Sequence, residues 1–206
     1  RISEMGRDKA LIHLGMPEQS YIHHNENITK SEVRAISLAK LKLDCPDYVL
    51  WDLGAGSGSV SLEASLFLKC GKIISIEQKS ERVAQIRENA AKFGVRNIEV
   101  IQAALPDGLD KLPKPDRIFI GGGGKTIGNI IRTALPYLKP DGVVVVNTVL
   151  IQSLHLASES LELCGYDSEV VQIQISRSRK MPWGERLDAL NPVWIISAER
   201  SKTESL

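Results

Sequence analysis

Each thing this sequence is short of removes a class of protein. Only three cysteines occur, Cys45, Cys70 and Cys164. They are widely spaced and lack any Cys-x-x-Cys pair, so neither a disulfide framework nor a zinc site is expected. An excess of one charge is also missing. The 26 Lys and Arg against 25 Asp and Glu leave a formal net charge of +1, which gives no protein-wide field for nucleic acid or an anionic membrane, and nucleic acid is not expected as a partner. The longest apolar stretch, Val143 to Ile151, is interrupted by Asn147 and Thr148 and falls far short of the ~20 residues a membrane-spanning helix needs. No signal-peptide pattern appears, so a cytoplasmic protein without membrane association is expected. The histidines, His13, His23, His24 and His155, stand in unpatterned contexts, and no metal site is predicted.

What is present is enough apolar material, 43% of 206 residues, for one large domain with its own core. Thr29-x-x-Glu32 followed by Val33, Ile36, Leu38 and Leu41 reads as a capping box opening a helix over Thr29 to Leu41. From there strand and helix alternate. Tyr48 to Asp52 is an apolar strand running into a glycine cluster, and Val60 to Lys69 is helical. Lys72 to Ile76 is strand, and Ser80 to Phe93 is helix with Gly94 beyond its end. Ile98 to Gln102 and Arg117 to Ile120 are strands, followed by a helix from Lys125 to Ala134, the strand Val143 to Val149 and a helix near Ser153 to Cys164. Two last strands, Glu169 to Ile175 and Val193 to Ala198, have no helix between them and read as an antiparallel hairpin joined by a polar loop. The expected fold is α/β, a Rossmann-like doubly wound sheet of seven strands, mostly parallel with an antiparallel C-terminal hairpin.

The glycine cluster after the first strand, Asp52-Leu53-Gly54-Ala55-Gly56-Ser57-Gly58, lies where such folds bind nucleotides. A dinucleotide fingerprint needs Gly-x-Gly-x-x-Gly, but here the third glycine comes one residue early and Ser59 stands where glycine belongs. The turn is therefore read as curving round a methionine moiety rather than a pyrophosphate, with Asp52 positioning the charged amino-acid end. Glu77 ends the second strand 25 residues after Asp52, where a carboxylate can accept both hydroxyls of a ribose.

These pieces resemble the class I methyltransferase family, in which the strand-one acid, the glycine turn and the strand-two acid hold S-adenosylmethionine. The resemblance covers the whole chain, including Leu138-Lys139-Pro140-Asp141-Gly142 before the fifth strand. It departs from the family after the third strand. Gln102-Ala103-Ala104-Leu105 puts alanine where an acid is usual, so Ala104 and Leu105 are expected to hold adenine through backbone and apolar contact, with Asp107 as a loop carboxylate.

Four further segments narrow the match: Gly15 to Ile22, Ile28 to Ala35, Phe119 to Gly124, and Leu190 to Val193. Together they resemble the decarboxylating precorrin methyltransferases of cobalamin biosynthesis, in which this domain stands alone or is fused behind a C5-methylating domain. The resemblance implies C15 methylation of a precorrin tetrapyrrole with loss of carbon dioxide from the ring C acetate, and a homotetramer. It also makes Thr29 a donor contact as well as a helix cap. Gly121, Gly122, Gly123 and Gly124 would clear space for a planar substrate beside the methyl group. Arg177, Arg179, Lys180 and Arg186 would meet its carboxylates, with Trp183 and Met181 against the ring. The plainer reading of that stretch is a solvated loop. No catalytic acid or base is identified.

On this reading residues 1–28 are an irregular lead-in, 29–199 the methyltransferase domain and 200–206 a polar tail. The first residue, Arg1, suits the C-terminal part of a fused enzyme. The alternatives are an RNA-base or protein-carboxylate methyltransferase on the same fold, and a donor-binding module without turnover.

Overall fold

The computed structural model describes residues 11–23 and 28–202. Half of the expected lead-in, including His24, and the end of the expected tail therefore lie outside the described residues.

Seven strands form one sheet: β1 (Val49–Leu53), β2 (Lys72–Glu77), β3 (Ile98–Gln102), β4 (Arg117–Ile120), β5 (Val143–Thr148), β6 (Tyr166–Ile173) and, after an inserted ribbon, β9 (Val193–Arg200). Their spatial order is β3-β2-β1-β4-β5-β9-β6. The first five run parallel, and β9 lies antiparallel to both β5 and β6. The expected fold is thus the observed one. Five helices cover the sheet: α1 (Ser31–Lys40), α2 (Ser59–Ala64), α3 (Ser80–Phe93), α4 (Ile127–Ala134) and α5 (Ile151–Leu163).

The central strands β1, β4 and β5 read as largely apolar runs because both faces are covered. Successive side chains point to opposite faces. Val144 and Val146 of β5 join Trp51, Ile74 and Ile118 in a core under α4 and α5, while Val143 and Val145 join Leu50, Ile73 and Phe119 under α1 and α2. All six residues of β5 are buried. Because β1 pairs with β2 on one side and β4 on the other, the strand order reverses there and a crevice opens beyond their carboxyl ends.

Three local expectations are corrected. The capping box does not form: α1 starts at Ser31 with Lys30 as its N-cap residue and no side-chain cap from Thr29. Glu18 from the preceding segment takes the Ser31 N–H at 2.7 Å instead, and places an acid at the positive end of the helix. The helix expected over Val60 to Lys69 stops at Ala64 and gives way to turns that take Leu68 back to the Ala64 carbonyl. Finally, the polar stretch before β9 is not a loop but a two-stranded ribbon, β7 (Ser176–Met181) paired antiparallel with β8 (Gly184–Ala189). It is largely exposed on both faces, so it has no apolar alternation to reveal it.

Candidate functional site

The crevice is a cavity of about 690 Å³ whose floor is two glycine turns. One leaves β1 and the other leaves β4, and they are tied together by the Gly121 N–H, which donates to the Leu53 carbonyl at 3.2 Å. A side chain on Gly121 would crowd the Phe119 ring at 3.0 Å and touch the Gly54 carbonyl at 3.5 Å, so the position has little room for one. Gly54, Ala55, Gly56 and Ser57 line the cavity from one side, and Gly121, Gly122, Gly123 and Gly124 line it from the other.

Glu77 closes the side of the cavity formed by the turn after β1. Its carboxylate is 4% exposed and accepts the Gly56 N–H at 3.0 Å on Oε2 and the Lys79 N–H at 3.0 Å on Oε1. Arg82 Nη1 stands 3.9 Å away. The second-strand acid therefore grips the glycine turn itself, and each oxygen keeps a lone pair for a hydroxyl. Thr29 also lines the cavity, while its carbonyl accepts a bond from Arg34. A smaller adjoining cavity of about 210 Å³ is lined by Ala103, Leu105, Gln78 and Gly122.

Other expected donor contacts lie elsewhere. Asp52 does not line the cavity. It is 1% exposed and accepts the Ser61 hydroxyl on Oδ2, while Oδ1 has no partner among the described residues. Burial pushes its carboxyl up to about 7, opposed by the Ser61 bonds and helped by the nearby Glu77 charge. Gly58 does not line the cavity either. It has φ +76°, and a Cβ there would sit 2.9 Å from Ile86 Cγ2, so this glycine serves the packing of α2 on α3. Ala104 is exposed and lines neither cavity, with Ala103 in its place beside Leu105.

The expected cations are also placed outside the cavity lining. Arg177 is taken up by two carboxylates. Its Nη1 and Nη2 meet Glu18 at 2.8 and 3.1 Å, while Nε and Nη2 meet Glu32 at 3.0 and 2.6 Å. Burial raises the Glu18 carboxyl, but bonds from Arg177 and the Ser31 N–H outweigh it and bring the group down to about 2. The Arg177 bond is the main cause that lowers Glu32. Arg179 and Arg186 both pair with Asp188 on the ribbon, at 3.4 and 2.7 Å. Lys180 and Trp183 are exposed there, Trp183 at 83%.

Several cavity residues were not anticipated. Asn147, Thr148, Val149 and Leu150 line it where β5 ends. The signal was available, since Asn147 and Thr148 are the polar break in an otherwise apolar run. Asn147 Nδ2 donates to Ser37 Oγ at 2.8 Å, and its buried Oδ1 has no partner among the described residues. Behind the wall, Glu63 of α2 accepts the Gly15 and Met16 N–H groups at 2.8 and 3.0 Å, the Tyr21 hydroxyl at 2.8 Å and Arg34 Nε at 2.7 Å. Burial pushes the Tyr21 hydroxyl above its ordinary value, so it stays a donor. Among the described residues no cluster of three or more His, Cys, Asp or Glu is arranged to hold a metal, and no helix is long and apolar enough to cross a membrane.

Residues 20–200 match a family model described as a precorrin methyltransferase domain. A Pyrobaculum aerophilum protein named "Probable cobalt-precorrin-6B C(15)-methyltransferase (decarboxylating)" is 37% identical over 187 residues, covering 89% of this chain and 95% of that protein. A precorrin-6Y C(5,15)-methyltransferase [decarboxylating] from Sinorhizobium is 41% identical over 144 residues, 70% of this chain but only 32% of that longer protein. The crystal structure of a precorrin-6Y C5,15-methyltransferase from Geobacter metallireducens superposes with a TM-score of 0.86 at 40% identity, over 91% of this chain and 97% of that one.

Proposed function

The chain belongs to the precorrin methyltransferase family, and from that premise we propose that it methylates C15 of a precorrin tetrapyrrole and removes carbon dioxide from the ring C acetate, with S-adenosylmethionine as methyl donor. The observation that carries the donor assignment is Glu77, nearly buried, bonded to the Gly56 N–H of the turn and left with a free lone pair on each oxygen. Such a carboxylate fits two vicinal hydroxyls. Gly54 to Ser57 would hold the amino-acid end, and Ala103, Leu105 and Gln78 the adenine, by apolar and backbone contact. Asp52 lies behind the turn and acts through it, its Oδ2 fixing the Ser61 hydroxyl.

When bound, the donor supplies an electrophilic methyl on sulfur, with the leaving group built in. The work left to the protein is alignment. Gly121 to Gly124 offer a floor without side chains on which a flat acceptor can approach the donor side. The tied turns after β1 and β4 set the distance between the two halves of the cavity.

We extend the reading, by family resemblance, to a cytoplasmic homotetramer; the exposed Trp183 and Leu187 of the β7–β8 ribbon support only that this face associates. A fused or partner C5-methylating domain is supported by the longer Sinorhizobium relative. Incubation with labelled donor and the precorrin substrate, followed by mass spectrometry, should show the gain of one methyl and the loss of one carbon dioxide. Donor binding without any corrinoid product would overturn the reading.

A further inference from the structure

Of the described cations that line the cavity, Lys30 alone forms no close ion pair, although its charge helps to lower the Glu18 carboxyl. Arg82 stands by Glu77 on the donor side. Arg177 is held by Glu18 and Glu32, and Arg179 and Arg186 share Asp188. Among the described residues lining the cavity, Lys30 is the one cation outside an ion pair. Its place is fixed from both sides, because the Thr29 carbonyl before it accepts from Arg34 and the Ser31 N–H after it donates to Glu18.

On the same cavity, where β5 leaves the sheet, Val149 and Leu150 line the wall while 54% and 52% exposed, and Ile151 beside them is 67% exposed. Three consecutive aliphatic residues left bare at a cavity rim form a surface that a ligand would cover. A nucleic-acid acceptor would call for several cations along a strand and aromatic faces for its bases. The lining offers Lys30, Arg82 and the ring of Phe119. One cation with no carboxylate bonded to it, beside an aliphatic shelf and a glycine floor, suits a flat apolar ring with carboxylates at its edge.

We propose that Val149 and Leu150 seat the ring of the acceptor and that Lys30 pairs with one of its peripheral carboxylates, an assignment that rests on the tetrapyrrole reading above. It moves the anchoring charge from the Arg177 to Arg186 ribbon to the residue that precedes α1. Arg177 then acts at one remove, by holding Glu18 and so the start of that helix.

The test is steady-state kinetics with the precorrin substrate on the full chain, with donor affinity measured separately by calorimetry. Lys30→Gln should raise the acceptor KM roughly tenfold or more, as expected for losing a charge-assisted hydrogen bond, with donor affinity and Tm unchanged. Lys30→Arg should restore most of the loss, and added salt should raise the KM of the unsubstituted chain more than that of Lys30→Gln. Leu150→Ser should also raise acceptor KM, and it decides the shelf alone if Lys30→Gln fails to fold. Unaltered acceptor KM in both variants would overturn the assignment, as would a loss of donor affinity in Lys30→Gln equal to the rise in acceptor KM. An unsubstituted chain that makes no methylated, decarboxylated product would instead overturn the functional reading, and the seat with it.

Discussion

Arg34 Nε donates to Glu63 Oε1 at 2.7 Å with both side chains wholly buried, joining α1 to α2 behind the cavity wall. Burying two charges is costly, and their attraction offsets this only when the remaining lone pairs and protons are satisfied. Here they are, because Glu63 also accepts Gly15, Met16 and Tyr21, and Arg34 also donates to the Met16 and Thr29 carbonyls. Glu63→Ala should therefore lose about 3–5 kcal/mol in urea unfolding, the cost of an uncompensated buried cation. Arg34→Met with Glu63→Leu removes the stranded charge but leaves the Gly15 and Met16 N–H groups, the Tyr21 hydroxyl and two carbonyls without partners, so it should recover only part of that loss. Equal losses in the single and double variants would mean that the pair is not the source.

Gly58 pairs a positive φ with a close neighbour, and both should show in its alanine variant. A left-handed non-glycine residue costs about 1–2 kcal/mol, and overpacking typically about 1–3 more. Gly58→Ala should thus destabilise the fold by about 2–5 kcal/mol. Because the obstructing atoms belong to Ile86, the same substitution should cost at least about 1 kcal/mol less in an Ile86→Ala background. A strictly additive cycle would remove the packing explanation.

The centre of the sheet was legible because burial on both faces writes strands such as β4 and β5 as apolar runs; β4 was read to the residue, as was the half-exposed edge strand β3. The glycine turn after β1 was legible as a cavity wall for a related reason, since strand ends and glycines are local features. What failed was long-range. Glu18 displaced Thr29 as the partner of α1 from 13 residues away, and no spacing rule reaches that far. Arg177 looked free for a substrate because its partners, Glu18 and Glu32, lie 159 and 145 residues earlier. The β7–β8 ribbon carries little core, so its sequence shows charge where a strand would show alternation.

Asp52 should give the protein a pH dependence opposite to that of most carboxylates. Its folded pKa, pushed up by burial to about 7, lies above the ordinary 3.8. The folded state therefore holds a proton that the unfolded state has released over this interval, and stability falls as pH rises. The contribution is fully present below about 3.8 and gone above about 7. Asp52→Asn removes this titration. The stability of the unsubstituted chain relative to Asp52→Asn should fall from pH 4 to pH 7 and then level off. A difference that is flat across that window, or that grows, would refute the buried protonated form.

Glu77 offers the sharpest test of the donor site, because its two roles separate. As an acceptor for the Gly56 and Lys79 N–H groups it shapes the turn, and any substitution that loses those bonds should weaken binding of every ligand there. As a ribose acceptor it should matter only when the hydroxyls are present. Glu77→Ala should lower affinity for S-adenosylhomocysteine by about 1.5–3 kcal/mol, roughly ten- to a hundred-fold. A deoxyribose analogue of the same ligand isolates the second role. The unsubstituted chain should bind it more weakly than the parent ligand, whereas Glu77→Ala should hardly distinguish the two. If the variant discriminated against the deoxy analogue as strongly as the unsubstituted chain, Glu77 would be a support for the turn alone and the hydroxyls would have another partner.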